Sequence, residues 1–190
     1  ATGAVGQKFI ELLLNHPWFK ITAISASERS IGKKYRDAAN WVLASSPGYV
    51  ADMIVEPCKP GLKPKLLFSA LDSSVATEIE SAFLEAGYTI VSNAKNFRMN
   101  EHVPLLVPEV NPEQLQWLSK QGKGKIVTVP NCSTVGLTMA LKPLHDKFGL
   151  EAVNVVTMQA ISGAGYPGVA SLDIVDNVIP YISGEEVKME

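Results

Sequence analysis

Two cysteines and three histidines occur in 190 residues, and their surroundings differ. Cys132, in PNCST, follows a β-prone run (KIVTV) and precedes a helical pattern. Its sulfur therefore stands where the first amides of a helix are unpaired. Those N–H groups, here of Ser133, Thr134 and Val135, favour the thiolate, the nucleophilic form of cysteine. Asn131, Ser133 and Thr134 surround it with polar groups. Cys58, in the proline-flanked loop EPCKPG, reads as a plain loop residue. His16 and His102 read as surface or packing residues, and His145 lies about three turns along the helix that Cys132 opens, out of its reach.

A second constellation suits a phosphate-bearing ligand. In ATGAVGQ, Gly3 and Gly6 lie in a turn that opens a helix and directs amides and the positive dipole end at a pyrophosphate, with Val5 expected to face the core. At the end of the next β-prone run the chain reads SASERS. An acid there would bind a ribose 2′-hydroxyl, whereas Ser27, Arg29 and Ser30 suit a 2′-phosphate, which points to NADP. Glu28 keeps open the alternative that Arg29 is a solvated surface charge. Downstream, SGAG allows close backbone approach to a flat ring or a phosphate, or is a plain tight turn.

The elements that must position these groups follow from periodicity. Strands are expected at residues 20–25, 65–70, 89–92, 105–107 and 125–129, and helices at 75–86, stopped by Gly87, and at 112–121, with Pro112 near the N1 position. The first helix is expected to present Phe9, Leu12, Leu13 and His16 on one face. This alternation predicts a Rossmann-like doubly wound parallel sheet with ligands at the carboxyl ends of its strands. Residues 36–65 form an excursion packed on the sheet. A strand is expected ahead of the glycine turn, so the chain reads as starting a few residues inside its native sequence. After Pro130 come a helix ending at Gly149, a strand over EAVNVVTMQAI and an amphipathic helix over 169–182. The expected division is a cofactor-binding domain at 1–131 and the incomplete start of an α+β catalytic and dimerisation domain at 132–190.

Composition narrows the partners. With 46% hydrophobic and 19% charged residues the chain is globular, which excludes disorder and fibres. The net charge of −2 comes from 17 basic and 19 acidic residues spread along the sequence, leaving no footprint for nucleic acid or an anionic membrane. No cysteine pairing, secretory segment, membrane-length apolar run or metal-ligand cluster is seen. Small molecules or further copies of the chain are the expected partners, and a reducing cytoplasm the expected location.

The segments ATGAVGQ, SASERSIGKKY, FSALDSSVA, VSNAKNFRM, VPNCSTVGL, QAISGAGYPG and IPYISGEEVKME, in this order, resemble the aspartate-semialdehyde dehydrogenase family, best its fungal and archaeal branch. The resemblance spans essentially the whole chain, and NCST with QAISGAG is its most discriminating part. It implies that the Cys132 thiolate attacks the aldehyde carbon of L-aspartate 4-semialdehyde, that hydride passes to NADP+, and that phosphate releases L-4-aspartyl phosphate, on the route to lysine, methionine and threonine.

By the same resemblance Gln159 orients the acyl group, and Arg98, with Lys188, holds phosphate oxygens. Asn131 adjoins the substrate, and Glu185 or Glu186 binds its ammonium, with spacing to Lys188 favouring Glu185. Thr2, Gly3, Val5 and Gly6 fall at the pyrophosphate, Ser27, Arg29 and Ser30 at the 2′-phosphate, and Ser69, Asn93, Ser162, Gly163, Ala164 and Gly165 nearer the nicotinamide. A catalytic histidine and a second arginine are expected beyond residue 190, and a homodimer or homotetramer built through the second domain. The alternatives are an acyl-CoA-reducing relative of the malonyl-CoA type, sharing cysteine, cofactor turn and SGAG, and a noncatalytic NADP-binding fragment.

Overall fold

The protein, seen here as a computed structural model describing residues 1–164 and 168–186, alternates parallel strands with helices, the α/β class that the periodicity predicts. The chain divides into two units, Ala1–Leu106 with Glu113–Val129, and Val107–Pro112 with Pro130–Glu190.

In the first unit, β3 (Leu66–Ser69), β4 (Thr89–Ser92) and β5 (Lys125–Thr128) form a parallel sheet in that order, with Leu66 paired to Thr89 and Thr89 to Lys125. Helix α3 (Ser73–Glu85) makes the crossover from β3 to β4 and buries Ala76, Glu80 and Phe83. The core beneath it gathers Leu62, Phe83, Tyr88, Ile90 and Ile126. Tyr88 satisfies its polar end inside this core by donating to the Leu62 carbonyl at 2.8 Å. Gly124 is obligatory here for a packing reason, since a Cβ would stand 2.3 Å from the Leu84 carbonyl oxygen. The chain leaves α3 through Gly87 at φ 81°, a left-handed conformation that glycine adopts without steric cost.

Asp72 caps α3, accepting from the Ser74 amide at 2.9 Å and the Ser74 hydroxyl at 2.7 Å. These bonds, the hydroxyl's first, hold the Asp72 carboxyl below the ordinary carboxylate range. A lowered folded value means that the stabilisation is complete above the unfolded pKa and is lost as pH falls through the folded one. Asp72→Ala is therefore expected to lower the thermal midpoint at neutral pH, and the gap from wild type is expected to close by about pH 2–3. Thermal melts followed by circular dichroism at both pH values check this.

A second, two-stranded parallel sheet pairs β1 (Ser25–Ala26) with β2 (Glu56–Pro57). Its core is Ile10, Ile24, Ala26, Tyr35, Val50 and Val55. The excursion after β1 carries the short helix α2 (Tyr35–Ala38) and a 3₁₀ turn over Gly48–Asp52. A cavity of about 350 Å³, lined by Phe9, Ile10, Ile21, Leu66, Phe68 and Ile90 among others, lies between α1 (Ala4–Leu13), the 19–25 stretch and β3.

Several expectations are corrected. Residues 20–24 are not strand, and β geometry begins only at Ser25, where the chain pairs with Glu56 and Pro57. Residues 105–107 reduce to one bridge between Leu105 and Thr128, and Pro112–Lys120 is 3₁₀ rather than α-helical. Helix α1 (Ala4–Leu13) turns Gly6, Gln7 and Ile10 inward, not the expected face: Leu12 is 62% exposed, Val5 45% exposed, and His16 lies past the helix end.

In the second unit, α4 (Cys132–Phe148) starts three residues earlier than its apolar pattern and ends at Gly149, φ 73°. The stretch 151–160 is not a strand; it has no ladder partner among the described residues, and Val156 and Met158 are exposed. The helix expected over 169–182 is a single turn, α5 (Ser171–Ile174), since isolated helices of that length are marginal without a surface to bury against. Among the described residues, no helix is long and apolar enough to cross a membrane.

Candidate active site

The second unit places four polar side chains around the start of α4. Asn131 is its N-cap, with Oδ1 accepting from the Thr134 amide at 2.8 Å and the main-chain carbonyl from the Val135 amide at 3.1 Å, so two of the three amides expected to face the Cys132 sulfur are already paired. Cys132 is the first helical residue and is exposed. The residues on either side of it both bond one carboxylate oxygen. Asn131 Nδ2 donates to Glu185 Oε1 at 3.0 Å and the Ser133 hydroxyl donates to the same atom at 3.2 Å. Gln159 Nε2 adds a third bond at 2.7 Å and also reaches Ser133 Oγ at 3.1 Å.

Glu185 is only 8% exposed, and burying a carboxylate is tolerable when several donors converge on it. Glu186 is exposed, so the doubled glutamate divides into an inward and an outward residue. Ser162, Gly163 and Ala164 lie in the exposed 3₁₀ turn Ile161–Ala164. Gly165 and Lys188 lie outside the described residues. Cys58 contrasts with Cys132: it is half-buried, and burial pushes its thiol up.

In the first unit, groups gather at the carboxyl ends of β3 and β4. Ser69 ends β3, and its buried hydroxyl has no hydrogen-bond partner among the described residues. The Asn93 amide donates to the Ser69 carbonyl at 2.9 Å, and the Asn93 carbonyl accepts from Arg98 Nη2 at 3.0 Å.

Thr2 and Gly3 stand at the start of α1, where the two glycines have different tasks. Gly3 is extended (φ −77°), and a Cβ there would meet nothing within 4 Å. Its missing side chain leaves open space before the first helix amides. Gly6 is dictated by packing, because its Cβ would stand 2.7 Å from the Ala1 carbonyl oxygen. Thr2, Ser27, Arg29 and Ser30 line a polar cavity of about 300 Å³ together with Lys33, Asp37 and Ala38. Hydroxyls, a guanidinium and an ammonium beside unpaired helix amides form a donor set that fits a phosphorylated dinucleotide. Lys33 was not singled out by motif, although its basic neighbours carried a signal: Lys34 and Arg36 are both engaged by Asp52, and Lys33 is the one that lines the cavity. Among the described residues, no group of three His, Cys, Asp or Glu side chains is placed to hold a metal ion.

Comparison with known proteins bears on both units. The model of the semialdehyde dehydrogenase NAD-binding domain matches residues 1–118, and that of the semialdehyde dehydrogenase dimerisation domain matches residues 141–190. The aspartate-semialdehyde dehydrogenase of Archaeoglobus fulgidus is 52% identical across all of this chain, which covers 57% of that protein. That of Candida albicans is also 52% identical over the whole chain, with 56% of its own length covered. The chain thus spans about half the length of the curated relatives it matches. A crystal structure of the Candida albicans enzyme with NADP superposes with a TM-score of 0.87 at 45% identity, over 100% of this chain and 56% of that one. Aspartate semialdehyde dehydrogenase II of Vibrio cholerae gives 0.72 at 33% identity, over 88% of this chain and 47% of that one. With this similarity running through both units, the chain belongs to the aspartate-semialdehyde dehydrogenase family.

Proposed function

We propose that the protein carrying this chain oxidises L-aspartate 4-semialdehyde reversibly, with phosphate and NADP+, to L-4-aspartyl phosphate through a thioester on Cys132. In this reading it serves lysine, methionine and threonine biosynthesis in the cytoplasm, as a homodimer or homotetramer. The observation that carries it is the exposed Cys132 at a helix N-terminus, between two residues whose side chains meet on the buried Glu185 carboxylate.

Cys132 Sγ adds to the aldehyde carbon, and after oxidation of that carbon the sulfur holds the acyl group as a thioester. A phosphate oxygen then attacks the thioester carbonyl, and the thiolate departs to regenerate the free residue. NADP+ supplies the hydride acceptor between these events. Glu185 binds the substrate ammonium, and Asn131 and Gln159 hold that carboxylate in place, with Gln159 also orienting the acyl group. Arg98 and Lys188 hold phosphate oxygens. Residues 1–131 bind the cofactor: Thr2, Gly3, Val5 and Gly6 at the pyrophosphate, Ser27, Arg29 and Ser30 with Lys33 at the 2′-phosphate, and Ser69 and Asn93 nearer the nicotinamide; by the family resemblance residues 162–165 contact the cofactor as well. Residues 132–190 begin the catalytic and dimerisation domain.

Steady-state NADPH formation from L-aspartate 4-semialdehyde, with phosphate or coenzyme A as acceptor, tests the reading. A saturable dependence on phosphate and no stimulation by coenzyme A are expected. A rate driven by coenzyme A would transfer the protein to the acyl-CoA-reducing relatives.

A further inference from the structure

We propose that Gln7 and Tyr35 are positioning residues that clasp the carbonyls of Ala1 and Thr2 inward and so aim the following amides of the glycine turn at the cofactor pyrophosphate. The inference rests on the reading of that turn as a pyrophosphate site.

Gln7 is 1% exposed, on the inward face of α1. Its Nε2 donates to the Thr2 carbonyl at 3.0 Å and to the Asn40 carbonyl at 2.7 Å, while its Oε1 accepts from the Val42 amide at 2.8 Å. Tyr35, fully buried, donates its hydroxyl to the Ala1 carbonyl at 3.0 Å. Burial pushes that hydroxyl up to about 12, so it keeps the proton it donates throughout the neutral range.

A trans peptide is planar, and its C=O points opposite to the N–H of the next residue. Holding the Ala1 and Thr2 carbonyls inward therefore turns the Thr2 and Gly3 amides outward, toward the open space that Gly3 leaves. Rotated the other way, the same peptides would present carbonyl oxygens to a phosphate and repel it. Gln7 also ties the turn to Asn40 and Val42, in the segment that follows α2. Lys33, Asp37 and Ala38, which line the polar cavity, come just before them in the chain. The bonds to Asn40 and Val42 anchor the clasping side chain itself.

Two variants separate this role from bulk stability. Gln7→Met keeps length and apolar volume but removes all three hydrogen bonds, and Tyr35→Phe removes only the bond to Ala1. Each is titrated with NADP, which carries a pyrophosphate, and with 2′-AMP, which does not, following protein fluorescence in the full-length protein. Gln7→Met is expected to weaken NADP roughly tenfold and Tyr35→Phe roughly threefold, with 2′-AMP held within about twofold. If Gln7→Met does not fold, Tyr35→Phe carries the test alone. NADP affinity equal to wild type, or an equal loss of both ligands, overturns the clasp. A wild-type protein that binds NADP no more tightly than 2′-AMP overturns the pyrophosphate reading itself.

Discussion

Cys132→Ser is expected to cut turnover by at least about 10³-fold. Serine preserves the shape of the site, and Cys132 is exposed at the first position of α4, so the folded chain should tolerate the exchange. What it removes is the sulfur nucleophile: an alcohol oxygen is a far weaker nucleophile near neutrality, and an ester is a poorer acyl donor than a thioester. The decisive measurement is a burst without phosphate. Wild-type protein mixed with semialdehyde and NADP+ should release about one equivalent of NADPH as the acyl-enzyme accumulates, and the variant should release none. Wild-type-like turnover by the serine variant would eliminate the thioester route.

If Glu185 binds the substrate ammonium as proposed, Glu185→Gln is expected to lower kcat/KM for the semialdehyde by roughly 10²-fold, chiefly through KM, because the buried charge is lost. The exchange is isosteric but not neutral for the cluster. Asn131, Ser133 and Gln159 all donate to Oε1 of the carboxylate, and an amide nitrogen placed there would oppose three donors. The flipped amide restores an acceptor and leaves the charge missing. Measuring KM for phosphate in parallel separates the two causes. A rise confined to the semialdehyde supports the ammonium role, whereas equal rises for both substrates point to a collapse of the cluster and count against it.

The contrast between α3 and the 169–182 segment shows how far local pattern reaches. In α3 the cap at Asp72, the apolar spacing of Ala76 and Phe83 and the stop at Gly87 all lie within one stretch, and the helix forms over Ser73–Glu85 against the expected 75–86. Residues 169–182 also carry an amphipathic pattern but form one turn, because a pattern states which face is apolar and not whether a surface waits for it. Helix α1 makes a related point. Its inward face is set by Gln7 and Gly6, through the clasped carbonyl of Thr2 and the close approach of Ala1, and hydrophobic spacing alone points to the neighbouring face.

By itself the sequence determined the α/β class, a glycine, Gly3, at the start of α1, the placement of Cys132 at a helix start and the membership of its motifs in one order; Gly6, expected in the same turn, lies inside the helix. Each of these is written in contiguous residues, where backbone preference, capping and periodicity act over a few positions. Only the tertiary structure decided that Glu185 and not Glu186 turns inward, that Asn131, Ser133 and Gln159 meet on one of its oxygens, and that Lys33 joins Arg29 in a polar cavity. These contacts join residues 26 to 54 positions apart, or depend on which way a loop folds back. Their strength comes from burial that no local window of sequence contains.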